Sequence, residues 1–224
     1  MSDISRKYVI PGEFLVEGNY NVYGNVIKIK DKFFSTKVGL AEINRDDIRV
    51  IPLSGPYFPR IDDLVIGKII DFSAFSWEVD INSCYLASLL ASSVFGRNYS
   101  PDQESLPDKL SIGDLIFAKI IAFDRTRNPL LNISEHDGLG LITQGELIKI
   151  GPAKVPRLIG KRGSMIKMIE SATNCKLSIG QNGFILVTGP NEGVLKAFRA
   201  IKLVEVEAHS ATLTNDVQEL LSNK

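Results

Sequence analysis

The spacing of apolar residues in this chain changes character after the stretch HDGLG at residues 136–140, and that change restricts the folds open to it. Ahead of it lie short alternating or continuous apolar runs, among them YNVYGNVIKI, FFSTKVGLAEI, LVIGKIIDF, FSWEVDI and LIFAKIIAF, punctuated by Gly and Pro. Behind it, PRLIGKRGSMIKMIESAT reads as two short helices around a turn. The stretch from about Asn191 to His209 then sets Val194, Leu195, Phe198, Ile201 and Val204 at three- and four-residue spacings, an apolar helix face for a sheet. The expected fold class is a multidomain chain, mainly β in front and α+β behind.

The punctuation supplies the boundaries. Pro52, Pro56 and Pro59 with Gly55 prevent helix or central strand through RVIPLSGPYFPR, so a small N-terminal β domain is expected over 1–59. Five segments between 60 and 137 (LVIGKIIDF, FSWEVDI, CYLASLL, LIFAKIIAF, LLNI) are suited to closing a small antiparallel barrel. Residues 138–209 supply a strand GELIKI, the helix pair, a hairpin CKLSIGQNGFILVTG and the long helix. The tail, 210–224, has a Thr/Asn start before Val217, Leu220 and Leu221, a short helix that frays or docks on a partner. Between the third and fourth barrel segments, ASSVFGRNYSPDQESLPDKLS exceeds the roughly 12–15 residues of a passive loop. It reads as a lid, a contact segment or a mobile one.

Several chemistries are short of material. With 44% hydrophobic and 23% charged residues the chain is equipped to bury real cores. No apolar run approaches the roughly 18 residues of a membrane span, and MSDISRKYVI lacks a secretory apolar stretch, so a cytoplasmic protein with no membrane partner is expected. Cys84 and Cys175 fit neither a disulfide framework nor zinc spacing and read as buried, reduced thiols. His136 and His209 are the only histidines, too few for a triad-plus-metal repertoire. No catalytic residues, no metal and no cofactor are expected.

Charge is balanced overall, 26 basic against 26 acidic residues, but unevenly distributed. Residues 60–137 carry seven Lys/Arg against twelve Asp/Glu. From Lys149 to Lys176 there are seven (Lys149, Lys154, Arg157, Lys161, Arg162, Lys167, Lys176) against Glu170 alone. Inside that patch, Gly160-Lys161-Arg162-Gly163 stands between Leu158-Ile159 and a helix starting near Ser164. Two glycines let a phosphate approach the turn without obstruction by Cβ, and the helix start adds free N–H donors. A bare GxxG is weak, since 18 glycines produce about one by chance. Gly180-Gln181-Asn182-Gly183 also matches, and its Asn-Gly pair reads as a structural hairpin turn.

Only the first copy has apolar helix residues on both sides and basic residues inside, and there VPRLIGKRGSMIKMIESATNCKLSI resembles the KH family over roughly residues 145–205. The order strand, helix, GxxG, helix, strand, strand, helix is similar to its type I arrangement. This implies single-stranded RNA across the loop, with Lys154, Arg157, Lys161, Arg162 and Lys167 near phosphates, Gly160 and Gly163 at the turn, and Ile159 and Ile166 lining a groove. Met165, Met168 and Ile169 are at helical spacing and read as core.

The middle segment resembles the S1-type OB-fold RNA-binding domain, through DLVIGKIIDFSAFSWEVDI and LSIGDLIFAKIIAFDRTRNPLLNIS. The resemblance sets Phe72 and Phe75 at the family's aromatic pair and Asp124 at an acidic position, with Arg125 and Arg127 beside it. Asn128 stands where a basic residue is usual. Period-two alternation also puts Phe75 and Trp77 on one face with Val79 and Ile81, so both read equally as core or as base-stacking rings. The acidic balance implies guidance or protein contact more than strong independent RNA affinity.

With VIPGEFLVEG, VGLAEI, DINSCYLASLL and IPLSGPYFPRIDDLVIGKI, the whole chain resembles the S1/KH cap subunits of the archaeal exosome. The resemblance implies a non-catalytic RNA-binding subunit. Three copies, alone or with the other cap subunit, would sit on a ring of RNase PH-like subunits through the N-terminal domain and feed it RNA, A-rich by preference, for 3′ to 5′ degradation. Two readings compete with this one. A free-standing RNA chaperone or translation-linked regulator would use the same modules without a ring. A nucleotide-handling enzyme would need a GxxxxGK[ST] loop, which is missing.

Overall fold

A computed structural model describes residues 5–96, 98–102, 104–133, 138–208, 210 and 212–222. His136, the joint at residue 137 and the expected helix end at His209 lie outside the described residues. The chain forms two compact units, Met1–Gly55 and Pro56–Lys224.

The first unit consists of seven short strands, as its Gly- and Pro-punctuated runs require. They are β1 (Ser5–Val9), β2 (Phe14–Glu17), β3 (Asn21–Tyr23), β4 (Val26–Ile29), β5 (Lys32–Ser35), β6 (Gly39–Ile43) and β7 (Asp47–Pro52). Two sheets result, ordered β1-β6-β7-β3 and β2-β5-β4. Val9, Ala41 and Val50 form a small core with Leu15 and Val26 packed against it. Glu42 is buried on β6, and its carboxylate is held by Arg6 at 2.9 Å and by the Arg49 Nε–H at 2.7 Å, which supplies the partners a buried charge requires.

In the second unit, β8 (Leu64–Phe72), β9 (Ser76–Asp80), β10 (Leu86–Leu90), β11 (Leu115–Ala122) and β12 (Leu130–Asn132) run in the order β12-β10-β9-β8-β11, and β12 also pairs with β11. That last pairing closes an OB-like barrel of five strands. A further strand, β13 (Gly140–Ile142), adds to β11. Alternation along β9 sends Trp77 and Val79 inward, where they meet Val65, Ile69, Leu89, Ile116, Ile120 and Leu131.

The long segment between β10 and β11 is wall rather than lid. It carries α1 (Ala91–Phe95) and α2 (Leu106–Lys109), whose Ala91 and Leu106 enter the barrel core together with Leu110. Phe95 stacks on Trp77 at 6.1 Å, and the Trp77 indole N–H donates to Leu110 O at 2.9 Å, so the buried ring keeps its hydrogen bond. Cys175 is buried as expected, but Cys84 is exposed, because it falls in the turn before β10 and not within a strand.

The remaining elements are β14 (Glu146–Lys149), α3 (Val155–Ile159), α4 (Ser164–Thr173), β15 (Lys176–Ile179), β16 (Phe184–Thr188), α5 (Asn191–Val206) and α6 (Leu213–Ser222). The antiparallel sheet β14-β16-β15 and the helices enclose a core that includes Met165, Ile169, Ile185 and Val187, with Met168 packed at its margin. On α5 the buried stripe is Gly193, Ala197, Ala200, Ile201 and Val204. Leu195 and Phe198 point outward, 64% and 43% exposed, because the N-terminal half of the helix makes its close approach through small residues: a Cβ on Gly193 would lie 2.2 Å from Thr173 O. The tail helix docks within this chain, burying Leu213, Val217 and Leu221 at four-residue spacing.

The Gly180–Gly183 turn between β15 and β16 does more than reverse the chain. β8 pairs with β9 only from Lys68 onward, so the backbone groups of Leu64 and Ile66 on that side need other partners. The turn supplies them. Gln181 N–H donates to Leu64 O at 2.8 Å and Leu64 N–H donates to Gln181 Oε1 at 2.9 Å. The fully buried Asn182 amide donates to Ile66 O at 2.7 Å and Ile81 O at 2.9 Å, while Asn82 donates to Asn182 O at 2.8 Å. Gly180 is required there, since a Cβ would lie 2.3 Å from Asn182 Oδ1. Replacing Asn182 by Ala strands two buried carbonyls and is expected to destabilise the second unit by about 2–4 kcal/mol. Denaturant unfolding, with amide exchange read at Leu64 and Ile66, checks this. A midpoint and protection equal to wild type would remove the turn's assigned role.

Candidate nucleic-acid interface

The GKRG loop is built by its two flanking helices. Val155 and Leu158 bury one face of α3, and Met165 and Ile169 bury one face of α4, so the link between them is forced outward. At Gly160 the backbone takes φ 72°, ψ 178°, a conformation open essentially to glycine, and its N–H closes α3 onto Pro156 O at 3.1 Å. Arg162 (φ 55°) and Gly163 (φ 78°) then turn left-handed before α4 begins at Ser164. No side chain caps the start of α4; the turn satisfies its own backbone instead, with Gly163 N–H donating to Gly160 O at 3.3 Å and Ser164 N–H to Lys161 O.

Electrostatics follow from what the carboxylates are doing. Arg157, Lys161, Arg162 and Lys167 are exposed, and no ion pair is made to them among the described residues. Glu170, the patch's single acid, accepts the Leu177 N–H at 2.8 Å and thereby fixes β15. Lys154 is half-buried at the entry to α3. That entry is held by Glu205, which accepts the Gly151 N–H at 2.8 Å and pairs with Lys202 at 2.8 Å. Burial works to raise the Glu205 carboxyl, but the Lys202 ammonium and the Gly151 N–H outweigh it and leave it below the usual range.

Beside the loop, Pro152, Val155, Pro156, Ile159, Gly160 and Gln181 line an open groove of about 370 Å³. Ile159 and Ile166 are both half-buried, and Ile159 forms part of the groove wall. The structure thus gathers Gly160, Lys161, Arg162 and Gly163 into one turn, with Arg157 and Ile159 on the helix leading in and Lys167 on the helix leading out.

On the barrel the expected residues separate. Phe72 ends β8 and Phe75 stands in the next turn, 38% and 62% exposed, whereas Trp77 is wholly buried. Phe75 precedes β9, so strand alternation does not couple it to Trp77. It packs edge-on against Tyr99, which stacks on Phe95 at 5.2 Å. Arg125 and Arg127 follow β11, whose far end pairs with the beginning of β8. Arg125 lies 5.1 Å from the Phe58 ring, in a cluster with Tyr85 and Phe123, and among the described residues no ring or ion contact joins this group to Phe72 or Phe75. Tyr99, Phe58, Tyr85 and Phe123 join these clusters without a signal in the sequence. The PYFPR, DINSCY and AFDR stretches offered aromatic residues but no spacing that ties them together.

Asp124 serves the loop itself, accepting the Thr126 hydroxyl at 2.8 Å and the N–H groups of Thr126 and Arg127. Those bonds, the hydroxyl's foremost, hold its carboxyl below the ordinary range. Among the described residues no group of three or more His, Cys, Asp or Glu is placed to hold a metal ion, and no helix is long and apolar enough to cross a membrane.

A closed barrel followed by a helix–GxxG–helix unit on a three-stranded antiparallel sheet defines an OB-plus-KH protein. The KH domain family model matches residues 146–203, and that of the exosome RNA binding protein RRP4 N-terminal domain matches residues 6–54. The exosome complex component Rrp4 of Nitrosopumilus maritimus is 51% identical across 98% of this chain and 97% of its own length. That of Thermofilum pendens is 42% identical across 98% and 94%. A crystal structure assigned to an exosome complex RNA-binding protein superposes with a TM-score of 0.70 at 40% identity, covering 75% of this chain and 95% of that one. The chain belongs to the Rrp4 family of exosome components.

The two loop glycines differ in what they tolerate. A Cβ at Gly160 would lie 2.8 Å from Met165 N in a conformation alanine rarely adopts, whereas one at Gly163 meets Ile166 only at 3.6 Å. Gly160→Ala is expected to destabilise the fold by about 1–3 kcal/mol or more and Gly163→Ala by about 1 kcal/mol. Equal losses in denaturant unfolding would contradict this geometry.

Proposed function

We propose that this chain is a non-catalytic RNA-binding subunit of an exosome, which caps a ring of RNase PH-like subunits and delivers RNA to it for 3′ to 5′ degradation. The observation that carries the reading is the GKRG turn, where the exposed cations Lys161 and Arg162 stand on a glycine-shaped backbone beside an apolar groove. Such a site suits a phosphodiester backbone with bases laid against Ile159. Names borne by the relatives, exosome complex component and RNA-binding protein, agree with it.

Division of labour follows the modules, taken as 1–59, 60–137, 138–209 and 210–224. The KH domain grips. The acidic barrel, with Phe72 and Phe75 near one end of β8 and Arg125 and Arg127 near the other, guides the strand and contributes less to affinity. The N-terminal unit exposes Tyr8, Ile10, Tyr23, Ile27 and Ile29, an apolar supply that suits burial against ring subunits in a trimeric cap, alone or mixed with the other cap subunit. A preference for A-rich RNA belongs to the same reading.

Replacing Lys161 and Arg162 by Asp is expected to weaken RNA affinity at least tenfold and to flatten the slope of log K against log salt by about 1.4, two contacts at about 0.7 each. Titrations at several salt concentrations measure both, and unchanged curves would refute backbone gripping at the turn. Purified chain with phosphate is expected to leave RNA intact, yet to speed degradation of A-rich RNA when added to a reconstituted ring. Shortening by the chain alone would refute the non-catalytic assignment.

A further inference from the structure

Gln181 occupies a position that neither the hairpin turn nor the joint with the barrel fully explains. Its backbone N–H and its side-chain Oε1 are both engaged by Leu64, at 2.8 and 2.9 Å, so the residue is clamped to β8 at two points. Because Leu64 N–H is a donor, the amide oxygen has to face it, which fixes the orientation of the carboxamide and sends the NH₂ group the other way. That NH₂ makes no hydrogen bond among the described residues, and it is not sealed from solvent. The same residue lines the groove of about 370 Å³ together with Pro152, Val155, Pro156, Ile159 and Gly160.

We propose that Gln181 is a base-reading residue of this groove, donating a hydrogen bond from its amide NH₂ to an acceptor on the edge of a base that lies against Ile159. This deepens the RNA-binding reading and rests on it. With Lys161 and Arg162 holding phosphate at one side, a base turned into the groove meets apolar wall on its face and a single fixed donor at its edge. The oxygen is committed to the barrel, so the amide cannot form the two-point pairing of a free glutamine with adenine and recognises acceptors only. Preorganisation comes from the neighbouring module: the barrel strand orients a residue that contacts a ligand of the KH domain, and the donor is not left to a mobile turn.

The test compares two RNAs of equal phosphate count, an A-rich single strand and the same backbone with abasic sites, titrated into the full chain. Gln181→Glu keeps the acceptor for Leu64 N–H and removes the donor; Gln181→Met removes both. Added negative charge acts on both ligands alike, so the informative quantity is the ratio of the two affinities. In wild type the base-bearing strand binds more tightly, and in both variants that ratio is expected to fall about five- to tenfold, the size of one neutral hydrogen bond. Retention of the full ratio in the Glu variant would overturn the proposal. Failure of the broader reading is distinguishable, since wild type would then bind neither strand.

Discussion

Asn182 and Gln181 reach out of one module and complete the hydrogen bonding of another. A closed barrel leaves few free backbone groups, but β8 outruns its β9 partner and leaves Leu64 and Ile66 with unmet bonds. Burying those groups without partners would carry a penalty of about 1–3 kcal/mol each. The Gly180–Gly183 turn satisfies them, and in doing so it ties the KH hairpin to the barrel, while Gly183 O accepts the Ile150 N–H ahead of α3. The placement of the candidate interface depends on this joint: the groove beside GKRG has Gln181 as a wall only because Gln181 is bound to β8.

Within the KH domain, Glu170 and Glu205 are assigned to structure, while Arg157, Lys161, Arg162 and Lys167 make no ion pair among the described residues. Glu170 holds the Leu177 N–H and Glu205 holds the Gly151 N–H. Both are spent on backbone donors that position the loop. An ion pair on Lys161 or Arg162 would have to be broken before a phosphate could be bound, so its absence among the described residues lowers the cost of binding. In the barrel Asp124 likewise shapes its own turn, and there acidic residues are in excess.

Much of this was legible in the residues. Short alternating runs foretold the strands of both β modules, the Gly160–Gly163 loop and its flanking helices lay where their apolar residues indicated, and Met165 and Ile169 were core. Errors arose where spacing was ambiguous. Leu195 and Phe198 share a helical spacing with the buried stripe of α5, but Ala197 and Ala200 took the inside because close approach favours small side chains. Phe75 shares parity with Trp77, yet only Trp77 lies within β9. The long segment after β10 looked like a loop because its helices are a turn or so each, too short to show a period.

Local pattern determined the elements, the chemistry of the GKRG turn and the family, because dihedral preference, hydrophobic period and charge are properties of neighbouring residues. Tertiary structure alone decided that the second glycine-flanked turn is a joint, that Phe75 leans on Tyr99 while Arg125 leans on Phe58, and that Glu170 is withdrawn from the basic patch. Each of these depends on how separately folded pieces meet, as when Asn182 bonds a carbonyl 116 residues away. No spacing within a single segment records that distance.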